Sequence, residues 1–282
     1  MERQKVALIT GVSSGIGRAT ATALVNEGFR VFGTMRDPAR LGQELGTVEL
    51  IPMDVRNENS ARSAVQSVLE RAGRLDVLVN NAGVALTGSA EETSVEEAKQ
   101  LFETNFFGVL RLTQLVLPVM RGQRSGRILN ISSVVGFLPA PYMAVYAASK
   151  HAIEGYSESL DHELRQFGIR VSLIEPGFTR TGFAHNGQTA TQRLEAYSRE
   201  RGLALEAINH AISNGDDPAT VASVVVMALR GEPRLRYQAG REAKMLDRFK
   251  KWAPSQLLDK GLRKQFGLSV KPEGHSLAAV RP

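Results

Sequence analysis

From Lys5 to Glu175 short β-branched runs alternate with longer stretches whose apolar residues recur at helical spacing. That alternation restricts the chain to βαβ units laid side by side in a parallel sheet. The runs fall at 6–9, 31–34, 49–53, 77–80, 127–131 and 170–174, with a last short one at 235–237, and segments such as 95–120 between them read as helices. A single doubly wound α/β domain over residues 1–240 is therefore expected. Residues 182–215, which follow Pro176-Gly177 and contain Gly182, Gly187 and Gly202, are expected as a substrate-covering loop before a helix that begins near Pro218.

Composition narrows the classes of function. With 43% hydrophobic residues in 282, the chain can bury a large core, and the absence of cysteine excludes disulfides, thiolate zinc sites and thiol nucleophiles. The opening apolar run at 6–9 is too short for a signal segment and no run approaches a membrane span, so a cytoplasmic protein is expected. A net charge of +6 raises the question of nucleic acid, but residues 1–240 balance to zero and residues 241–271 carry the whole excess. No nucleic-acid partner is expected. The segment 241–282 mixes Lys and Arg with Met245, Leu246, Phe249, Trp252, Leu257, Leu258 and Leu262, as in a basic amphipathic helical extension packed on the domain. Contact with a membrane surface is the alternative reading.

Thr10-Gly11-Val12-Ser13-Ser14-Gly15-Ile16-Gly17 lies between a strand and a helix, where glycines allow a tight turn and let a pyrophosphate reach the helix N-terminus. About 20 residues beyond such a turn, a dinucleotide fold sets a side chain beside the adenosine ribose. Here that place reads Thr34-Met35-Arg36-Asp37. An acid would accept from the ribose hydroxyls and repel a 2′-phosphate; Met35 does neither and Arg36 can pair with the phosphate, which favours NADP(H). A second register would put Asp37 on the ribose, but Pro38 marks it as already outside the strand. Asp54 and Val55 close the third strand, where a carboxylate suits the adenine amino group or caps a turn. Asn81, Ala82 and Gly83 close the fourth, with small side chains beside a ligand.

In Tyr146-Ala147-Ala148-Ser149-Lys150 the i, i+4 spacing puts the phenol and ammonium on one helix face, and Ser133 ends the fifth strand thirteen residues upstream. Ser132 is the adjacent alternative hydroxyl, and the thirteen-residue spacing selects Ser133. Tyrosine titrates near pH ~10, so bringing it to about 7 takes ~4 kcal/mol of preference for the phenolate. A lysine ~4 Å away supplies about 1 kcal/mol in water but about 4 at an effective dielectric of ~20, so the pair needs a partly dry pocket. Tyr146 then serves as general acid and base while Ser133 hydrogen-bonds the substrate oxygen. His151, His162 and His185 form no metal-ligand spacing with nearby carboxylates, and no metal is expected.

Together these motifs, T-G-x-x-x-G-I-G, N-N-A-G, the serine, Y-x-x-x-K and P-G, resemble the short-chain dehydrogenase/reductase family over about residues 5–240. The resemblance implies a Rossmann-type sheet. It also implies that Asn105 completes a catalytic tetrad by holding a water linked to Lys150, that Lys150 contacts the nicotinamide ribose, and that Pro176, Gly177 and Thr181 hold the nicotinamide carboxamide. Thr34-Met35-Arg36-Asp37, Leu235-Arg236-Tyr237 and the long tail are similar to the 17β-hydroxysteroid and retinol dehydrogenase branch. Family members commonly form homodimers or homotetramers, here through helices at 94–121 and 143–167. The apolar residues Val84, Ala85, Leu86, Leu138, Tyr142, Met143 and Phe183 near the expected cleft suit a small hydrophobic carbonyl or alcohol substrate. A non-catalytic NADPH-sensing regulator of the same fold and an NAD-preferring alcohol dehydrogenase are the competing readings.

Overall fold

Every β-branched run becomes a strand. In the computed structural model, which describes residues 4–40, 45–181 and 187–268, the strands are β1 (Val6–Thr10), β2 (Arg30–Met35), β3 (Glu49–Pro52), β4 (Val77–Asn80), β5 (Leu86–Thr87), β6 (Gly126–Ile131), β7 (Ile169–Pro176), β8 (Gln188–Thr189) and β9 (Arg236–Ala239). Seven form one parallel sheet in the order β3-β2-β1-β4-β6-β7-β9, and β5 pairs with β8 in a separate parallel ladder. The order reverses between β1 and β4. In such sheets a crevice for ligands opens there, at the carboxyl ends of the strands.

Alternation along the strands divides the core between the sheet's two faces. On one, Leu8, Phe32, Leu78, Ile128 and Val171 pack with residues of α2 (Glu58–Ala72), α4 (Gly108–Gln123) and α5 (Ala144–Leu164). On the other, Ala7, Ile9, Val31, Val79 and Ile174 pack with residues of α1 (Gly15–Asn26) and α7 (Pro218–Arg230). Local chemistry sets several helix ends. Asn57 accepts from the Ser60 amide to cap α2, Gly73 ends it in the left-handed region at φ 68°, and Ser94 with Glu97 forms a capping box on α3 (Val95–Phe102).

The structure departs from the sequence reading in two places. The stretch read as one helix over 95–120 is interrupted at Glu103–Phe107 by a π turn that joins α3 to α4. The expected loop at 182–215 contains a sixteen-residue helix, α6 (Ser198–Ser213). Its inward stripe is thin, only Arg201, Ala204 and Ile208, and its Gly202 stands where an added Cβ would meet nothing within 4 Å. So weak a stripe with a glycine inside resembles a loop. Gly182, Phe183 and His185 lie outside the described residues.

The C-terminal segment forms α8 (Arg241–Trp252) and α9 (Ser255–Gln265). Ala243 and Phe266 are buried and Leu246 and Leu262 half-buried, in the same apolar cluster as Ala204, Ile208 and Tyr146. These helices therefore help to wall the crevice. Among the described residues no helix is long and apolar enough to cross a membrane.

Candidate active site

Glycine spacing in the first turn is dictated by contact. Gly11 and Gly15 have φ of 72° and 56°, in the region that favours glycine. A Cβ on Gly17 would stand 2.2 Å from the Gly11 carbonyl oxygen and 2.4 Å from Asn81 Nδ2, so only glycine lets α1 start against the turn. Ser14 is the N-cap residue, yet its side chain makes no capping hydrogen bond, and Ser13 beside it is exposed. That end of α1, with the amides of Gly15, Ile16 and Gly17, suits an anion. A Cβ on Gly15 would come within 2.9 Å of Thr181 Cγ2, so Thr181, beyond Pro176 and Gly177 at the end of β7, lies over the same turn. These features fit a dinucleotide's pyrophosphate.

Several residues expected at the cofactor also hold the frame. The Asn81 amide group donates to the carbonyls of Thr10 (2.8 Å) and Gly11 (3.1 Å), while Thr10 Oγ1 accepts from the amides of Asn81 and Ala82. Asn81 thus braces the turn with its side chain, a role the N-N-A-G motif does not announce. Asp54, expected to face adenine, has its carboxylate forked by Arg56 at 2.7–3.2 Å, and this pairing holds its pKa below the usual carboxylate range. Val55 is buried and packs beside Gly108 at the start of α4, where a Cβ would meet Val55 Cγ2 at 3.0 Å. Met35 is the last residue of β2, paired in register with Pro52, and Arg36 is the first residue beyond it. Asp37 has already left the strand, ahead of the turn at Pro38–Arg40.

Ser133, Tyr146 and Lys150 converge. Tyr146 hydrogen-bonds Ser133, and Lys150 Nζ lies 5.8 Å from the Tyr146 ring centroid and donates to the Ile131 carbonyl at 2.9 Å. Ser132 instead donates to Glu154, which leaves Ser133 as the hydroxyl at the phenol. The pocket is dry, with Tyr146 6% and Lys150 7% exposed. Its electrostatics differ from expectation: burial pushes the Tyr146 phenol up, against a Ser133 hydrogen bond that pulls it down. Burial also pushes the Lys150 ammonium down to about 8, partly offset by the negative charge of Glu154. Desolvation penalises both charged forms, and for the phenol it outweighs the Ser133 hydrogen bond.

Asn105 sits in the π turn at Glu103–Phe107, a distortion frequent at functional sites. Its side chain donates to the Val84 carbonyl (3.0 Å) and Ser149 Oγ (3.1 Å) and accepts from the Val84 amide (2.9 Å), tying this turn to α5. A Cβ on Gly83 would lie 3.3 Å from Asn105 Oδ1 and 3.9 Å from Lys150 Nζ, so Gly83 keeps the space between them clear. Sequence reasoning passed over Glu154 and its partners. Glu154 continues the Tyr146–Lys150 stripe by another four residues, a signal readable from spacing alone. Arg236 of β9 pairs with Glu154, Glu158 and Glu175, and burial, then the negative charge of Glu154, push the buried Glu175 carboxyl well above the usual carboxylate range. Around the phenol the wall is apolar: Leu86, Val135, Ala140, Met143, Ala204 and Ile208. Tyr142, at φ 60°, holds a strained left-handed turn at the mouth of this wall, with its carbonyl accepting from the Gly88 amide at 2.8 Å.

Comparison with known proteins gives a consistent set of relatives. The family model for short chain dehydrogenase matches residues 5–192. The 3-ketodihydrosphingosine reductase of Bacteroides thetaiotaomicron is 38% identical over 263 residues, which span 92% of this chain and 97% of that protein. Retinol dehydrogenase 8 of Bos taurus is 36% identical over 271 residues, 89% of this chain and 86% of the relative. A short chain dehydrogenase/reductase from Burkholderia phymatum, solved in complex with NAD, matches with a TM-score of 0.78 at 28% identity, over 97% of this chain and 99% of that one.

Proposed function

The chain belongs to the short-chain dehydrogenase family and is an oxidoreductase that uses a nicotinamide cofactor; on that premise we propose that it is an NADPH-dependent reductase of hydrophobic ketones or aldehydes, reversible toward the alcohol. One observation carries the reading: a phenol kept protonated by burial, bonded to Ser133 and flanked by Lys150, inside an apolar wall at the carboxyl edge of the sheet. The nicotinamide, when bound, supplies the hydride. Tyr146 Oη donates its proton to the substrate oxygen, and Ser133 hydrogen-bonds that oxygen. The phenolate left behind draws stabilisation from the Lys150 ammonium in surroundings of low dielectric. Long-chain ketones enter as substrates through the name of the Bacteroides relative, and retinoids through that of the bovine one. A turnover screen followed by nicotinamide absorbance, over long-chain ketones, steroids, retinaldehyde and fatty aldehydes, tests the reading. Turnover of none, with cofactor bound, would instead favour the NADPH-sensing regulator.

Lys150→Met is expected to weaken cofactor binding as well as turnover, because an ammonium that also reaches the nicotinamide ribose contributes in both. Cofactor titration by fluorescence checks this, and unchanged affinity would remove the ribose role. A homodimer or homotetramer assembled through α4 and α5 is part of the same reading. Phe107 stands exposed at the start of α4, stacked edge-on to Phe106 at 5.3 Å, which in turn meets Tyr156 of α5 at 5.8 Å. Symmetric packing would bury this aromatic group. Sedimentation velocity should give a dimer or larger, and Phe107→Glu should shift it toward monomer.

A further inference from the structure

Helix α8 has two opposed faces. Ala243, Leu246 and Asp247 turn toward the domain, with Ala243 fully buried. Met245, Phe249 and Trp252, spaced i, i+4 and i+7, turn the other way and are 61%, 45% and 87% exposed. Arg241 and Arg248 lie on that same outward face, with exposed Lys244 and Lys251 at its flank, while α9 adds exposed Leu257, Lys260 and Lys264. Residues 241–271 carry all of the chain's excess positive charge. Half of the large exposed apolar side chains of the described residues lie here too. The alternation of a bulky apolar stripe with Arg and Lys is the pattern of a helix that rests in a bilayer interface, with rings and thioether at the acyl boundary and cations among the head groups.

We infer that the outer face of α8 is a docking surface for anionic lipid, which seats the enzyme on a membrane with the crevice wall of α6, α8 and α9 beside the bilayer. Charge selects this occupant: a second copy would bring the same cations against these, whereas an anionic leaflet attracts each by about 1 kcal/mol within a Debye length. Delivery of an apolar carbonyl from that bilayer would follow only if the proposed function holds; the docking itself is independent of it.

Trp252 is the chain's single tryptophan, so it reports directly. Mixed with vesicles of phosphatidylcholine and phosphatidylglycerol, the full-length protein should show a blue shift of tryptophan emission and co-sediment with the vesicles. Both effects should fade with added salt and with phosphatidylcholine alone. Met245→Ser, which keeps the reporter, should weaken vesicle partitioning by about tenfold, and Trp252→Ser should do so by sedimentation, with folding and turnover of a water-soluble aldehyde unchanged. Emission that ignores anionic vesicles overturns the proposal. So does a blue shift that rises with protein concentration in the absence of lipid, since a second copy would then cover the face.

Discussion

Tyr146→Phe is expected to lower kcat/KM by about 10²–10⁴-fold, the usual contribution of a positioned general acid, with cofactor affinity nearly unchanged. The ring still fills its place among Val135, Met143 and Ala147, so the pocket keeps its shape. What disappears is the phenolic proton, together with the oxygen that Ser133 hydrogen-bonds. Since burial keeps this phenol protonated well above neutral pH, the loss should be uniform across the neutral range in the reductive direction. In oxidation the phenolate is needed, so the wild-type rate should climb with pH and the variant should not follow. Steady-state kinetics in both directions, together with cofactor titration, measure this. A variant that reduces substrate at near wild-type rate would mean that another group delivers the proton.

The second large effect concerns cofactor choice, where family membership does not decide, since the Burkholderia relative was solved with NAD. NADPH should bind tighter than NADH by roughly tenfold to a hundred-and-fiftyfold, from one charge-assisted contact of about 1.5–3 kcal/mol between Arg36 and the 2′-phosphate. The placement of Met35 at the end of β2, with Arg36 next and Asp37 beyond the strand, motivates the expectation. Arg36 also lies near enough to Asp54 to help hold its carboxyl ionised, which puts the guanidinium near the end of β3. Arg36→Ala should weaken NADPH alone. Met35→Asp should repel the phosphate and offer the ribose an acceptor, and so narrow or reverse the preference. Equal use of both cofactors by wild type, with Arg36→Ala affecting them alike, would make Asp37 the ribose ligand and remove the NADPH assignment.

Much of the frame follows from local rules that a sequence displays. Parallel strands buried on both faces read as β-branched runs, so all seven strands of the main sheet were legible to within two residues. Glycine positions follow from backbone geometry and close contact, so the turn at Gly11, Gly15 and Gly17 was legible as well. The i, i+4 pair and the serine upstream announced which side chains converge, because their spacing fixes which helix face and strand end they occupy. The tertiary structure decided what depends on partners distant in the chain. A π turn at Asn105, the use of Asn81 as a brace and the fork of Arg56 on Asp54 arise from hydrogen bonds that no period encodes. Helix α6 formed despite Gly202 because its narrow stripe is completed by the C-terminal helices and by the buried pair of Arg201 with Glu92. The upward push on the Tyr146 phenol was decided there too: spacing supplies the lysine and the serine, but only packing determines how much water is removed, and here desolvation outweighs the Ser133 hydrogen bond.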